Sequence, residues 1–353
     1  MTATLDEVQG LVRGGDLVNG LDLSQQDLTG ADLASGIYEQ VNFAGANLTN
    51  ANLQESFFHK CDFTGATLVS ADLRRASLEA ARFGGAKLIG ADLSATQLSH
   101  TDLTEADLTN AKMVITQIIK PTLTRANLSG VYFDRNAILS VVDCAGIDLS
   151  NTRFYLTTIS DADLTSARFD GAVFDTSVLH HATLSGRDLR GLTLERSQLM
   201  DAQLDGCIFT GANLANVNFK GSNLSGANLD ETLATNVLFV EATFTEGSAQ
   251  NARFEQSIFI DATLDETDFS GSDMTSCIFT KASAVGAKFL GTNLTYAELA
   301  NADLTRSNFM GARLFRTRLH GIEDTDAVFD AGRAIALGDE PDLLEAQNWQ
   351  PTH

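Results

Sequence analysis

Large apolar residues recur every five positions along most of this chain. From Leu23 the series runs without interruption to Ile138, then resumes one residue out of phase at Leu149 and continues to Phe329. Alanine is frequent two positions before each large residue, and Asn or Asp often lies between the two, as in Ala71-Asp72-Leu73. We call the large positions of this series slots. The period explains why the chain contains 21 phenylalanines but only one tryptophan, because most phenylalanines occupy slots.

A period of five fits neither an α-helix nor a flat β-strand, whose side chains repeat every 3.6 and 2 residues. The backbone therefore has to turn a corner every five residues, and four corners close a coil of about twenty residues. The small and the large residue of each unit then face inward, while Asn, Asp, Ser, Thr and Gly suit the corners. Successive coils pair through backbone hydrogen bonds like neighbouring strands.

The unit A(D/N)LXX, seen in Ala46-Asn47-Leu48 and Ala212-Asn213-Leu214, resembles the pentapeptide repeat family. The resemblance covers about residues 20–330 and implies an all-β fold, a right-handed quadrilateral β-helix. With about four units per coil, this chain would form about fifteen coils. Because the phase of the series shifts once, we expect the coils to form two segments with short caps at both ends.

The pattern predicts five parts of the chain. Leu5, Val8, Leu11 and Val12 recur at helical spacing and predict an amphipathic cap before the first coil. Residues 341–346 predict a short helix near the end, and Trp349 beyond it either packs onto the last coil or anchors a dimer contact. The predicted parts are an N-terminal cap (1–19), a first β-helix segment (20–138), a phase break or connecting loop (139–148), a second β-helix segment (149–330) and a C-terminal tail or cap (331–353).

Acidic residues dominate the charge of the chain. It contains 24 Lys and Arg against 46 Asp and Glu, a net charge of −22, which argues against direct binding to nucleic acid or to an anionic membrane. Up to residue 140 there are 10 basic and 16 acidic residues, and after it 14 and 30, so the acidity belongs mainly to the second segment. A basic protein surface is therefore the expected partner. No apolar run is long enough to span a bilayer, and the N-terminus lacks signal-peptide character, so we expect a cytoplasmic protein.

One acidic stretch of the second segment is a candidate partner-binding region. Residues twenty apart are expected to stack, which places Glu241 over Asp261 and Glu246 over Glu266. Such like charges oppose strand pairing, so stability alone does not favour them; the alternative is that they only keep the protein soluble. Arg306, Arg313, Arg316 and Arg318 form a basic cluster in sequence that would suit the acidic region of a second copy. The candidate partner-binding residues are Asp230, Glu231, Glu241, Glu246, Glu255, Asp261, Asp265 and Glu266.

The sequence contains no recognisable constellation for catalysis, metal binding or cofactor binding. The histidines are scattered, and carboxylate pairs such as Asp161/Asp163 are expected by chance in an acid-rich repeat. Cys61, Cys207 and Cys277 fall on the small inward position and read as core residues, whereas Cys144 lies in the phase break and is expected to be more accessible. We therefore expect a non-enzymatic protein without metal or cofactor.

The stretch 113–121 adds apolar residues at outward positions. A neighbouring segment or a partner would cover them, or they form an ordinary exposed strip.

The resemblance also implies classes of function. Some pentapeptide repeat proteins are similar to duplex DNA in shape and charge and bind DNA gyrase, which confers resistance to quinolones or to other topoisomerase poisons. Others accompany interbacterial toxins, including those of type VI secretion. At its expected length, with one phase break and acidity confined to one segment, this chain departs from the shorter gyrase binders. We therefore expect an immunity protein that neutralises a DNA-acting toxin, with a gyrase binder and a secreted effector or structural scaffold as the alternatives, acting as a monomer or homodimer.

Overall fold

The computed structural model describes residues 3–135, 137–140 and 143–342. They form two compact units, residues 3–183 and residues 184–342, and both units are parallel β-solenoids. The predicted all-β fold is thereby confirmed. Trp349 and most of the predicted helix at residues 341–346 lie outside the described residues.

The first unit begins with the predicted amphipathic cap. Helix α1 (Leu5–Gly14) starts with a capping box, in which the Thr4 hydroxyl accepts the Glu7 amide and the Glu7 carboxylate accepts the Thr4 amide. It ends at Gly15, whose φ of 76° is the left-handed conformation that glycine adopts easily. The fully buried Val8 faces inward, so the helix covers the backbone edge of the first coil.

Three short parallel sheets follow in the first unit. Their strands are β1 (Leu17–Asn19), β2 (Ile37–Glu39), β3 (Phe57–His59), β4 (Gln97–Ser99), β5 (Lys112–Val114), β6 (Gln117–Ile119), β7 (Tyr132–Asp134), β8 (Ile138–Ser140), β9 (Arg153–Tyr155), β10 (Thr158–Ser160) and β11 (Val173–Asp175). The first sheet has the order β1-β2-β3, the second β10-β8-β6-β4 and the third β11-β9-β7-β5. In β1 and β2 each residue pairs with the residue twenty positions later, as Val18 does with Tyr38.

The phase shift lies earlier than its predicted position after Ile138. Ile118 pairs with Leu98 twenty residues before it, but with Leu139 twenty-one residues after it. Leu139 is buried, whereas Ile138 is 38% exposed and does not fill a slot. The extra residue therefore lies between Phe133 and Leu139, and the coils continue in parallel register on both sides of it. The boundaries of the predicted segments themselves stay a prediction.

The second unit consists of coils joined by isolated parallel bridges, such as Leu238 with Ile258 and Ile258 with Ile278. It ends in the short 3₁₀ helix η1 (Ala331–Ile335), and the following residues 341–342 are helical. Its slots form stacks of rings along the core: Phe259 lies 4.8 Å from Phe239 and 4.7 Å from Phe279 between ring centroids, in nearly parallel planes. The regular spacing of coils thus allows each ring to stack on the one before it.

The Asn or Asp before each slot residue stabilises the next corner. The Asp273 carboxylate accepts the amide and the hydroxyl of Thr275, two residues later, and also the Asn293 side-chain amide of the following coil at 3.2 Å. The sequence predicts these residues at the corners, but in the structure they lie on the flat sides and reach the corner through their side chains. The second residue after the slot forms the corner and has positive φ, as Gln256 does with 62°.

Hydroxyl residues at the small inward position also have a structural role. Thr292 is fully buried, and its hydroxyl donates to the Phe269 carbonyl of the preceding coil at 2.9 Å. Thr101 and Thr116 make the same bond in the first unit, to Leu78 and Leu93. These bonds satisfy polar groups that would otherwise be buried without a partner.

Candidate functional site

The predicted partner-binding acids divide into two structural classes. Glu231, Glu241, Glu246, Asp261 and Glu266 are exposed, and each lies at a corner with φ between 54° and 58°. Asp230, Glu255 and Asp265 are half-buried on or beside the flat sides. A residue's place in the five-residue unit therefore decides whether its carboxylate points into solvent or toward the protein.

The half-buried acids are engaged within the protein. One oxygen of Asp230 accepts the Ser248 hydroxyl at 2.6 Å and the Gln250 amide at 2.7 Å, and the other accepts the Asn228 side chain at 3.0 Å. In the same way Asp265 accepts the Ser283 hydroxyl and the Val285 amide. Because these carboxylates stabilise their own coils, they have few lone pairs left for a partner.

Glu255 is also held, by an ion pair. Arg253 Nη2 lies 2.9 Å from Glu255 Oε1, while Oε2 is buried and has no hydrogen-bond partner among the described residues. Glu255 and Arg253 lie two residues apart on the same side of one coil. The pair adds almost no net charge to the surface.

Four of the exposed corner acids form a continuous group, which we call the acidic face: Glu241, Glu246, Asp261 and Glu266. The Glu241 amide donates to the Ile260 carbonyl and the Glu246 amide to the Asp265 carbonyl, so the ladder places Asp261 and Glu266 one coil beyond them. The two stacks occupy neighbouring corners of the same side. Glu231 occupies a different corner, where Asn251 follows it.

Ion pairs offset only part of the acidic face, although Lys281 occupies the corner that follows Asp261. Lys220 Nζ lies 3.5 Å from Glu241, whereas Glu246, Asp261 and Glu266 have no ion pair or side-chain hydrogen bond among the described residues. Like charges one coil apart, about 5 Å, repel by about 0.9 kcal/mol in water. The group is therefore destabilising by itself, and a cationic partner would relieve the repulsion.

The arginines that are close in sequence are not one cluster in space. Arg313 and Arg316 share one side of their coil, Arg306 lies at the corner that continues the stack of Glu246 and Glu266, and Arg318 lies on another side. Arg318 is also neutralised by Glu298 at 3.2 Å and Glu340 at 3.1 Å. The predicted four-arginine complement to the acidic face is therefore not formed.

All four cysteines are buried and unpaired by disulfides. Cys61, Cys207 and Cys277 fill the small inward position as predicted, but the expectation of an accessible Cys144 is wrong. Cys144 occupies a slot in the shifted register, is 3% exposed, and its thiol donates to the Asp163 carbonyl at 2.8 Å. Burial raises the pKa of the Cys144 and Cys207 thiols to about 11.

We expect all four thiols to resist a thiol reagent such as DTNB in the folded protein, since the thiolate is the reactive form and burial blocks access. Urea should expose them, and four equivalents should then react quickly. A single fast equivalent in the native protein would show that one site, first of all Cys144, opens to solvent.

One feature of the surface was only partly visible in the sequence. The stretch 113–121 is indeed apolar on its outward side, with Ile115 50% and Ile119 37% exposed. Residues from the next two coils, including Tyr132 and Tyr155, extend it into a patch, and only the register of the coils brings these positions together.

Comparison with solved structures finds other pentapeptide repeat proteins. HetL, a pentapeptide repeat protein involved in heterocyst differentiation regulation from the cyanobacterium Nostoc sp., is 22% identical over 90% of this chain and 96% of its own, with a TM-score of 0.29. QnrB1, a plasmid-mediated fluoroquinolone resistance protein, is 18% identical over 56% of this chain and 99% of its own, with a TM-score of 0.25. Rfr23 from the cyanobacterium Cyanothece is 24% identical over 42% of this chain and 91% of its own, with a TM-score of 0.19.

No curated protein sequence matches this chain. Within the described part of the chain, no helix has the length and apolar character that crossing a bilayer requires.

The sequence itself matches the family model for pentapeptide repeats in both units. The matched residues, which together make up well over half of the chain, are 42–79, 76–113, 159–196, 197–233, 238–275, 276–311 and 285–321. They carry the five-residue period whose slots the structure buries and whose corners have positive φ. The chain belongs to the pentapeptide repeat family.

Proposed function

We propose that this chain is a non-enzymatic binding protein that uses its acidic face to hold and neutralise a basic protein acting on DNA. The observation that carries the proposal is the stacking of exposed acids at neighbouring corners, where Asp261, Glu246 and Glu266 lack an ion-pair partner among the described residues. Duplex DNA carries one charge per about 1.7 Å of its axis, so two coils bearing four or five acids approach its charge density locally. A protein surface built to bind DNA would complement that arrangement.

Within this class we favour an immunity protein against a secreted, type VI-like nuclease toxin. Such a toxin needs a cationic surface to bind its substrate, and an acidic protein that covers this surface would inhibit it. Binding to DNA gyrase with protection from topoisomerase poisons is the alternative, because it requires the same complementarity. A secreted effector or a structural scaffold would not need the acidic face at all.

Capture from a bacterial lysate tests which protein the chain binds. The tagged chain would be incubated with lysate at low and at high salt, and the proteins that elute only with salt would be identified. A small basic nuclease encoded at the same locus supports immunity, and gyrase subunits support the alternative. If nothing is retained, the acids serve solubility and the proposal fails.

Charge reversal tests whether the acidic face binds the partner. Changing Glu241, Glu246, Asp261 and Glu266 to Lys is expected to slow association with the captured partner by about tenfold to a hundredfold at low salt, and to remove most of its salt dependence. Association kinetics would be measured at several salt concentrations.

A matched control changes to Lys four acids elsewhere for which no side-chain partner is seen among the described residues: Asp16, Glu39, Glu323 and Asp326. Both variants alter the net charge equally, so only a local effect separates them. Equal slowing in the two variants would mean that the overall charge of the chain attracts the partner. Unchanged association kinetics in the variant with the reversed acidic face would show that the acidic face does not bind the partner.

A further inference from the structure

The first unit carries an exposed apolar patch around one corner of its coils, which we call the corner patch: Ile115, Ile119, Tyr132, Ile138, Tyr155 and Leu156. Their exposed fractions range from 37% to 50%. Pairing of β5 with β7 and of β7 with β9 places Tyr132 in register with Lys112 and Arg153, and pairing of β6 with β8 brings Ile138 beside Gln117. The register change described above is what turns Ile138 outward.

The patch occupies two adjacent sides and the corner between them, over three successive coils. Several exposed apolar side chains grouped in this way on a folded protein commonly mark a site of interaction. Beside it, Val114 and Ile115 line a groove of about 240 Å³ together with Arg74 and Arg75. The groove gives the patch a concave margin into which a partner's side chain would fit.

Basic residues outnumber acids on the two sides and the corner of the patch, in contrast with the whole chain, whose net charge is −22. The three coils carry there Lys112, Lys120, Arg135 and Arg153 against Asp134 and Asp161, and the coils before and after them add Asp92 and Asp175. Lys112, Lys120 and Arg153 are exposed and have no ion-pair partner among the described residues. Arg135, at the corner itself, is 72% exposed in its side chain. The positive charge at the rim is therefore available to a ligand.

The acid within the patch pairs with Arg135 and leaves Lys112, Lys120 and Arg153 as the cations of the rim without an ion pair among the described residues. Asp134 is 8% exposed, and its Oδ2 accepts the Tyr132 hydroxyl at 3.3 Å and lies 3.5 Å from Arg135 Nε. Asp134 thus fixes Tyr132 and Arg135 at the surface, and both residue types are enriched at the centres of protein interfaces. An interface with an apolar aromatic centre and a cationic rim selects a partner that is apolar with acidic flanks.

We propose that the corner patch is a second docking surface, which binds an acidic, amphipathic helical segment of a protein partner. Charge complementarity with the rim argues for the acidic flanks, and the exposed Ile, Leu and Tyr side chains argue for the apolar stripe. A second copy of the patch does not fit, because two cationic rims would repel each other. The acidic face does not fit either, since its flat side carries Thr243 and Thr263 in place of apolar residues.

A pair of designed peptides tests this chemistry without knowledge of the natural partner. The probe is a fluorescein-labelled 18-residue helix with Leu on one face and Glu on the other, and its counterparts replace every Glu by Lys or every Leu by Ser. Fluorescence anisotropy with the full chain should show binding of the Leu/Glu helix at least tenfold tighter than that of either counterpart. Comparable binding of all three peptides would overturn the proposal.

Variants of the full chain locate the binding. Ile115→Ser with Tyr155→Ser should weaken binding of the Leu/Glu helix about tenfold or more, and Lys112→Glu with Arg153→Glu should do the same while leaving all apolar side chains in place. The matched control is Leu17→Ser with Ile37→Ser, two residues of similar exposure on the first sheet, which should bind like the unmodified chain. An equal loss in the control would show that the helix adheres to any exposed apolar residue, and circular dichroism would confirm that each variant is folded.

Two further measurements separate this proposal from other readings. Vesicles of phosphatidylserine and phosphatidylcholine should not retain the chain; retention that depends on Lys112 and Arg153 would replace the protein partner with an anionic membrane. A variant whose acidic face is neutralised by Glu241→Gln, Glu246→Gln, Asp261→Asn and Glu266→Gln should bind the Leu/Glu helix unchanged. Failure of the acidic face to bind a DNA-acting protein would therefore leave the corner patch untouched, and the reverse also holds.

Discussion

Replacing Phe259 by alanine is expected to lower the free energy of unfolding by about 3–5 kcal/mol. The ring is fully buried and stacked between Phe239 and Phe279, at 4.8 and 4.7 Å. Removing it takes away the transfer free energy of a large apolar side chain and leaves a cavity. The ladders of backbone hydrogen bonds above and below, such as Phe259 N to Ile278 O, hold the coils apart and prevent the cavity from collapsing. Urea unfolding followed by circular dichroism measures the change.

Phe315 offers a matched control in the same unit. Its side chain is 48% exposed and lies one position after a slot, so Phe315→Ala removes the same atoms from the surface. We expect a loss below about 1 kcal/mol, as is usual for surface substitutions. A similar loss at Phe259 and Phe315 would mean that the slot residues do not supply the stability of the core, and would contradict the inward assignment of the five-residue series.

The fold was predictable from the sequence because one repeated constraint is imposed many times. Each five-residue repeat places a small and a large residue on the inside of a narrow core. A single repeat that departs from the pattern therefore does not hide the period, because the repeats before and after it keep to it. Ala249 and Ala284 occupy slots without being large, and the structure nevertheless buries both. The helical cap was predictable for a similar reason. Leu5, Val8, Leu11 and Val12 recur at helical spacing, and the five-residue series begins only after them.

The exact position of the register change was not predictable from apolar pattern alone. Ile138 and Leu139 are both large and apolar, so either satisfies a slot, and only the pairing of Ile118 with Leu139 decides between them. The accessibility of Cys144 was mispredicted for the same reason. If Ile138 is taken as the slot residue, Cys144 lies in the phase break; if Leu139 is, Cys144 occupies the next slot, where it is buried.

The candidate site was predictable in composition but not in detail. The acids were correctly recognised as a cluster in sequence, yet a count of charges does not distinguish Asp230, whose carboxylate holds its own coil, from Glu246, which lies free at a corner. That difference depends on the position of each residue relative to its slot. The sequence contains this position, but it can be interpreted only when the corner is known to be the second residue after the slot. The corner patch could not be predicted without the register of the coils, because its residues come from three coils.

The corners themselves are the second place where a single change should have a large effect. Gln256 has a φ of 62°, and its amide donates to the Thr275 carbonyl of the next coil at 2.9 Å. Proline restricts φ to about −65° and has no amide hydrogen, so Gln256→Pro would have to distort the corner and break this ladder bond at once. We expect a loss of about 3 kcal/mol or more in the free energy of unfolding, measured by urea titration.

Gln256→Gly is the control that separates backbone conformation from side-chain loss. Glycine adopts positive φ without the cost of about 1–2 kcal/mol that other residues incur there, but it also gains more freedom in the unfolded chain. The two effects oppose each other, so the glycine variant should stay within about 1 kcal/mol of the unmodified protein while the proline variant does not. If both variants were equally unstable, the Gln256 side chain would be responsible; if both were neutral, the corner would not need positive φ. The predicted difference rests on the positive φ of the residue two positions after the slot, which nearly all five-residue repeats in the described part of the chain share.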